Sequence, residues 1–321
     1  MSFCTIGGRK AINMTKNNIP KFTLSLLHPR YWGTLILVGV MYLLSCLPYS
    51  WQLTMGKNIG RLAIKLIKKR RRTIERNLEL CFPTMLEEDK QRLIAENIDN
   101  TGMGLFETGM AWFWSEERVN RHVTIVGLEQ MEQLAKEGKG VLMVAVHSMN
   151  LELGARAFGI KMSGMGVYRP NSNPCFDYFQ YLGRSRSNRT LIDRKDVKSM
   201  LHALKTGERV WYAPDHDYGR RRSTFAPLFA VDQACTTTGT SLLVDNSDCV
   251  IVPFTMVRDD KGHYTLTLRK AVEGFPKKDP DAAAAFINKI VEESIMAAPS
   301  QYMWLHRRFK TRPEGQECLY K

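Results

Sequence analysis

Between Tyr31 and Pro48 the chain reads YWGTLILVGVMYLLSCLP, eighteen residues without a charge. A bilayer-spanning helix needs about 20 apolar residues, with about 17 as the lower bound, so this stretch predicts a membrane-anchor helix over 27–52. Its flanks fit: Arg30 stands at one end, and Tyr31, Trp32, Tyr49 and Trp51 supply aromatics for a membrane interface. A secretory signal would carry a shorter apolar centre and a small-residue cleavage site, and neither is found. The competing readings are a core helix and a helix lying in one leaflet. Residues 1–26 read as an unstructured tail, within which Met14 is a candidate start.

Directly after this stretch, residues 57–76 carry nine Lys/Arg against one acid, Glu75, with Ile59, Leu62, Ala63, Leu66 and Ile67 at helical spacing. That is a basic amphipathic segment, assigned to 53–82, of the kind that lies on anionic headgroups. Nucleic-acid binding is the usual alternative for a basic run, but adjacency to an apolar stretch favours a membrane. The positive-inside rule then puts the remainder of the chain in the cytoplasm. The net charge of +14 suits a polyanionic partner. Seven cysteines without paired spacing argue against a disulfide scaffold or a zinc ribbon.

Residues 83–321 read as one α/β domain. Thr84 to Glu87 has the form of a capping box, opening a helical pattern that runs to Phe113. Val141 to Val146 is a continuous apolar run after Gly140 and predicts a fully buried parallel strand. Further strands are expected at 209–213 and 249–257. A half-buried edge or antiparallel strand is expected at 263–269, and helices at 196–205 and from Asp279-Pro280 onward.

The sharpest chemical signal is His147-Ser148-Met149-Asn150-Leu151-Glu152, at the carboxyl end of the buried strand. Open α/β sheets gather their ligand sites at such ends. A carboxylate five residues on can reach back to one imidazole nitrogen, fix the tautomer and stabilise the imidazolium formed on proton abstraction. Such a pair suits deprotonation of a hydroxyl attacking an activated acyl group. The structural alternative is a backbone-satisfied histidine and a glutamate favoured by a helix N-terminus. Ser148 lacks a G-x-S-x-G elbow and is not read as a nucleophile. Arginines follow in number: Arg169, Arg184, Arg186, Arg189, Arg194 and Arg220 to Arg222. Arginine suits bidentate recognition of phosphate or carboxylate, and a solvated surface charge is the alternative for each. Asp215 and Asp217, after a strand, order neighbouring arginines or hold Mg²⁺. His202 and His216 are equally readable as surface or packed residues.

These blocks together resemble the bacterial late acyltransferases of lipid A biosynthesis, the Kdo2-lipid IVA lauroyl, palmitoleoyl and myristoyl transferases. The match runs through LHPRYW (27–32), NLELCFP (77–83), ETGMAWFW (107–114), YRP (168–170), APDHDYG (213–219), FAPLFAV (225–231) and WLHRRFKTRP (304–313). The pattern lies nearer the lauroyl/palmitoleoyl group. One departure shows, since glutamine is usual where His216 stands. The resemblance implies a glycerophosphate-acyltransferase-like mixed sheet flanked by helices. It implies a single-pass inner-membrane enzyme with the catalytic domain on the cytoplasmic face and His147 and Glu152 as an HX4E pair. Substrate contacts would come from Arg169, Arg184, Arg186, Arg189, Asp215, Asp217 and Arg220, with Arg169 the first candidate for phosphate or oxyanion. The donor would be acyl-acyl carrier protein, which is acidic, and the acceptor a 3-hydroxyacyl hydroxyl of Kdo2-lipid IVA. No metal or redox cofactor is expected. The alternatives are a glycerophosphate or lysophospholipid acyltransferase, and a non-catalytic basic membrane-surface protein.

Overall fold

The computed structural model describes residues 19–320; Met14 and most of the expected tail lie outside them. In chain order the elements are α1 (Trp32–Cys46), α2 (Tyr49–Leu66), α3 (Lys68–Cys81), α4 (Glu87–Phe113), α5 (Glu116–His122), β1 (Val123–Val126), α6 (Leu128–Lys136), β2 (Val141–Val144), α7 (Leu151–Lys161), β3 (Gly164–Tyr168), α8 (Pro174–Ser185), β4 (Asn188–Asp193), α9 (Val197–Lys205), β5 (Arg209–Tyr212), β6 (Ser223–Leu228), β7 (Val231–Thr237), α10 (Gly239–Ser247), β8 (Val250–Arg258), β9 (Tyr264–Leu268) and α11 (Pro280–Met296).

Seven strands form one sheet in the order β1-β9-β8-β2-β5-β3-β4, and β6 and β7 form a separate antiparallel pair. From β8 to β4 the neighbours are parallel. Strand β9 runs against β8 and β1 runs with β9, so two strands are reversed. The expected antiparallel strand is therefore present, though β1 covers its outer edge. Alternation along β2 explains why its sequence is apolar throughout. Leu142, Val144 and Val146 enter one core with α3, α9 and α11, while Val141, Met143 and Ala145 enter a second core with α4 and α7. A strand covered on both faces has no polar side to show.

The single anchor helix expected over 27–52 is two helices. Pro48 disfavours helical backbone at the preceding residue, and Leu47 is extended at φ −62° and ψ 159°. No helix among the described residues is long and apolar enough to cross a membrane. The fifteen residues of α1 span about 22 Å against a hydrocarbon core of about 30 Å. Its end is tied into the domain: the carbonyl of Ser45 accepts from Gln52, Trp114 and Arg118, and that of Leu47 accepts from Gln52 and Arg118. The opposite side of α1 exposes Trp32, Ile36, Leu37, Val40 and Leu43. Leu62 and Leu66 of α2 are likewise exposed among its lysines and arginines. The basic segment breaks at Ile67 into α2 and α3. The capping box is not formed either; Leu86 is the N-cap, with no side-chain bond, and Glu87, Glu88 and Asp89 supply the favourable charge of the first turn.

α2 lies on α4 at near backbone contact. A Cβ on Gly102 would meet the Gly56 carbonyl oxygen at 2.0 Å and the Gly60 nitrogen at 2.4 Å. Gly102→Val is expected to force the helices apart at a cost of about 1–3 kcal/mol, read as a lower urea midpoint for the whole domain. An unchanged midpoint would mean that α2 is loosely seated.

Candidate active site

The register of the central strands builds the site. Val141 pairs with Arg209 and Val144 with Tyr212, a constant offset that, continued three residues past both strands, sets Asp215 opposite His147. The Asp215 carboxylate accepts from the His147 backbone N–H at 3.0 Å and meets imidazole Nδ1 at 2.7 Å. Its second oxygen also accepts from the Tyr302 hydroxyl at 3.0 Å. The C-terminal segment is laced to the same loop: Met149 N–H donates to Gln301 and Met303 N–H donates to His147. Asp215 is completely buried, while the His147 side chain is 26% exposed. Burial alone would raise the Asp215 pKa. The His147 and His216 rings and the His147 hydrogen bonds outweigh it and hold the carboxyl well below its usual range. Burial pushes the Tyr302 hydroxyl well above its usual range, so it remains a donor. With Nδ1–H directed to Asp215, the acceptor lone pair of a neutral His147 lies on Nε2.

Two more rings back this imidazole. His216 stacks on His147 at 3.6 Å between centroids and 10° between planes, and His306 stacks on His216 at 4.0 Å and 12°. Burial lowers the His216 pKa to about 3 and that of His306 to about 4, so both are neutral near pH 7. The stack holds the plane of His147 and presents a neutral π face to its imidazolium. In an unfolded chain both histidines titrate near 6.5. Below that pH the unfolded state binds more protons, so native stability falls as pH drops from about 6.5 toward 4 for His306 and 3 for His216. The Asp215 contribution is lost only below about pH 4, outside most of this window. We expect His216→Gln to remove about 1 kcal/mol per pH unit from the slope of unfolding free energy between pH 6 and 4. Urea titrations at each pH read this, and parallel slopes for both proteins would contradict it.

His147, Asp215 and His216 bring donor atoms within 4.8 Å of one another. Parallel stacked rings do not aim two in-plane lone pairs at one point, and Asp215 is already engaged, so the set does not fit a metal ion.

Glu152 is placed differently from the expectation. It lies in the first turn of α7, and its carboxylate is held by Arg184 from α8, whose Nε lies at 2.9 and 3.1 Å, with Nη2 bonded as well. The imidazole partner is Asp215, because the cross-strand register delivers a carboxylate directly to Nδ1 whereas α7 carries Glu152 toward α8. The remaining candidates divide. Arg169 is exposed just past β3, at the sheet edge that bears His147. Arg186 donates to the Trp112 carbonyl and, at 3.0 Å, to that of Trp114, closing the end of α4. Arg189 pairs with Glu208 at the starts of β4 and β5, the opposite edge of the sheet. Asp217 accepts from the N–H and hydroxyl of Thr311 and from Gly219 N–H, and so fixes loops and not arginines. His202 is exposed on α9. Tyr302 and His306 were not singled out in the sequence; the one available signal was the dense WLHRRF block.

Residues 19–311 match the family model of the bacterial lipid A biosynthesis acyltransferases. The lipid A biosynthesis lauroyltransferase of Escherichia coli (strain K12) is 50% identical over 305 residues, 94% of this chain and 99% of that protein. This chain belongs to that acyltransferase family. The palmitoleoyltransferase of the same organism is 45% identical, over 94% of this chain and 98% of that one, and the myristoyltransferase 29%, over 95% and 96%. The protein is an acyltransferase of lipid A biosynthesis. A cavity beneath the same strand end, lined by Val146, Phe254, Met256, Ile295 and Tyr302, measures about 10 Å³. That is room for one water, and no fatty chain is held there.

Proposed function

We propose that the enzyme transfers a lauroyl or palmitoleoyl chain from acyl-acyl carrier protein to a 3-hydroxyacyl hydroxyl of Kdo2-lipid IVA. His147 Nε2 takes the hydroxyl proton as the oxygen attacks the thioester carbonyl. The tetrahedral oxyanion collapses by expelling the carrier thiolate, which takes the proton back from Nε2. Asp215 remains a carboxylate throughout, holding Nδ1–H and stabilising the imidazolium. Arg184, steadied by Glu152, or Arg169 supplies positive charge to the oxyanion or to substrate phosphate; one such donor contributes about 2.7–4 kcal/mol. Because a thioester is already activated, no acyl-enzyme is required. The observation that carries the reading is the His147–Asp215 pair at the carboxyl ends of adjacent parallel strands, with Nε2 left for substrate.

Work on this acceptor is done at the cytoplasmic face of the inner membrane. The exposed apolar side of α1 and the lysines and arginines of α2 and α3 support docking there. Mass spectrometry of lipid A from cells with and without the gene tests the function: one added C12 or C16:1 chain is expected, and identical spectra would refute it.

A further inference from the structure

Beyond the catalytic pair, a cavity of about 400 Å³ opens among Arg220, Lys310, Thr311, Arg312, Gln316 and Cys318. That volume lies in the range of ligand sites, about 300–1,000 Å³. Three cations and no acid line it; Glu314 and Glu317 lie on the same segment but outside the lining. Like charges gathered around a concavity repel unless an anion joins them. Here backbone and amide groups fix the two arginines in place. Arg220 Nη2 donates to the Arg312 carbonyl at 2.9 Å, and Arg312 donates to the Gln233 carbonyl at 2.6 Å and to Gln316. Arg312 Nε is buried without a hydrogen-bond partner.

The position is as informative as the charge. Thr311, in the lining, is held by Asp217, two residues past the Asp215 that grips His147. The flanks of the same segment are held by the basic helix α3, with Arg70 donating to the Leu305 carbonyl and Arg76 to that of Leu319. The cavity thus links the catalytic loop to the cationic face that suits anionic lipid. The hollow is open to solvent, with Arg220, Lys310, Gln316 and Cys318 exposed around it, and a phosphate group is small enough to enter it.

We propose that this cavity is an anion subsite that takes a phosphate monoester on the sugar head of the acceptor lipid. The inference rests on the acyl-transfer reading above and names which part of that acceptor the cavity holds. Binding there positions the acceptor hydroxyl while the chemistry is done at His147.

The test uses the full chain in neutral detergent. Calorimetric titration with inorganic phosphate should show saturable binding, weakened about tenfold or more by Lys310→Ala or Arg220→Ala and abolished by Lys310→Glu. Lys198→Ala, an exposed charge on α9, should leave it unchanged. In steady-state transfer the Lys310 and Arg220 variants should raise KM for the phosphorylated acceptor by a similar factor, with kcat within about twofold. They should also lose discrimination against enzymatically dephosphorylated acceptor. Unaltered phosphate affinity in all three variants would overturn the proposal. So would a rise in KM for the acyl-carrier thioester alone, which would assign the cavity to the donor. Should the wild type acylate no phosphorylated glycolipid while phosphate binding responds as stated, the acceptor reading fails and the anion site stands.

Discussion

His147→Ala is expected to lower turnover by about four orders of magnitude with the fold retained and the melting temperature lowered, since buried Asp215 loses its imidazole partner. The site offers no substitute base. His216 and His306 are neutral, but His216 Nε2 and His306 Nδ1 are buried and have no hydrogen-bond partner, while their rings lie behind His147. Losing Nε2 therefore leaves a hydroxyl to attack unassisted. The His147 side chain is only part-buried, so its removal leaves the hydrophobic cores untouched. Initial rates with acyl-carrier thioester and acceptor, beside a circular dichroism melt, measure both. A variant that keeps a near-normal rate would refute the assignment of the base.

Asp215→Asn should be nearly as damaging, with kcat down about 10³–10⁴-fold. An amide nitrogen facing Nδ1 favours the opposite tautomer, with the proton on Nε2, and an imidazole in that form has no lone pair for the acceptor. The amide oxygen still accepts from the His147 N–H and the Tyr302 hydroxyl, but without the charge these bonds weaken, at a further cost of about 1–3 kcal/mol in stability. Glu152→Gln is expected to slow transfer less and to leave residual activity, because it weakens the hold on Arg184 while the imidazole keeps its own partner. Rapid-quench kinetics on the two variants decide the ranking. A crippled Glu152 variant beside a fast Asp215 variant would restore the pairing that the His-x4-Glu spacing first proposed.

The partner of the imidazole shows where sequence legibility stopped. Strand β2 was legible because a six-residue apolar run after glycine has few other uses, and it put His147 at a carboxyl strand end. Spacing along the chain then favoured Glu152, whereas the true partner comes from the neighbouring strand. Nothing in the sequence states that β2 lies beside β5, whose paired ends, Val144 and Tyr212, put residues 147 and 215 in register. Tyr302 and His306 were harder still, since the irregular segment around them is positioned by pairing with the His147 loop. The arginines were hard to place for a related reason: composition gives charge but not which edge of the sheet each residue occupies, and Arg186 and Arg189 bond to the end of α4 and to Glu208. At the N-terminus, counting uncharged residues missed the helix break that Pro48 imposes.

Nitrogen NMR on ¹⁵N-histidine-labelled enzyme, with His147 assigned from the spectrum lost in the Ala variant, reads the central arrangement without a substrate. Neutral His147 should carry its proton on Nδ1 in a strong hydrogen bond and show a bare Nε2, and Asp215→Asn should reverse this. A wild-type spectrum with the proton on Nε2, or one indifferent to residue 215, would contradict the account.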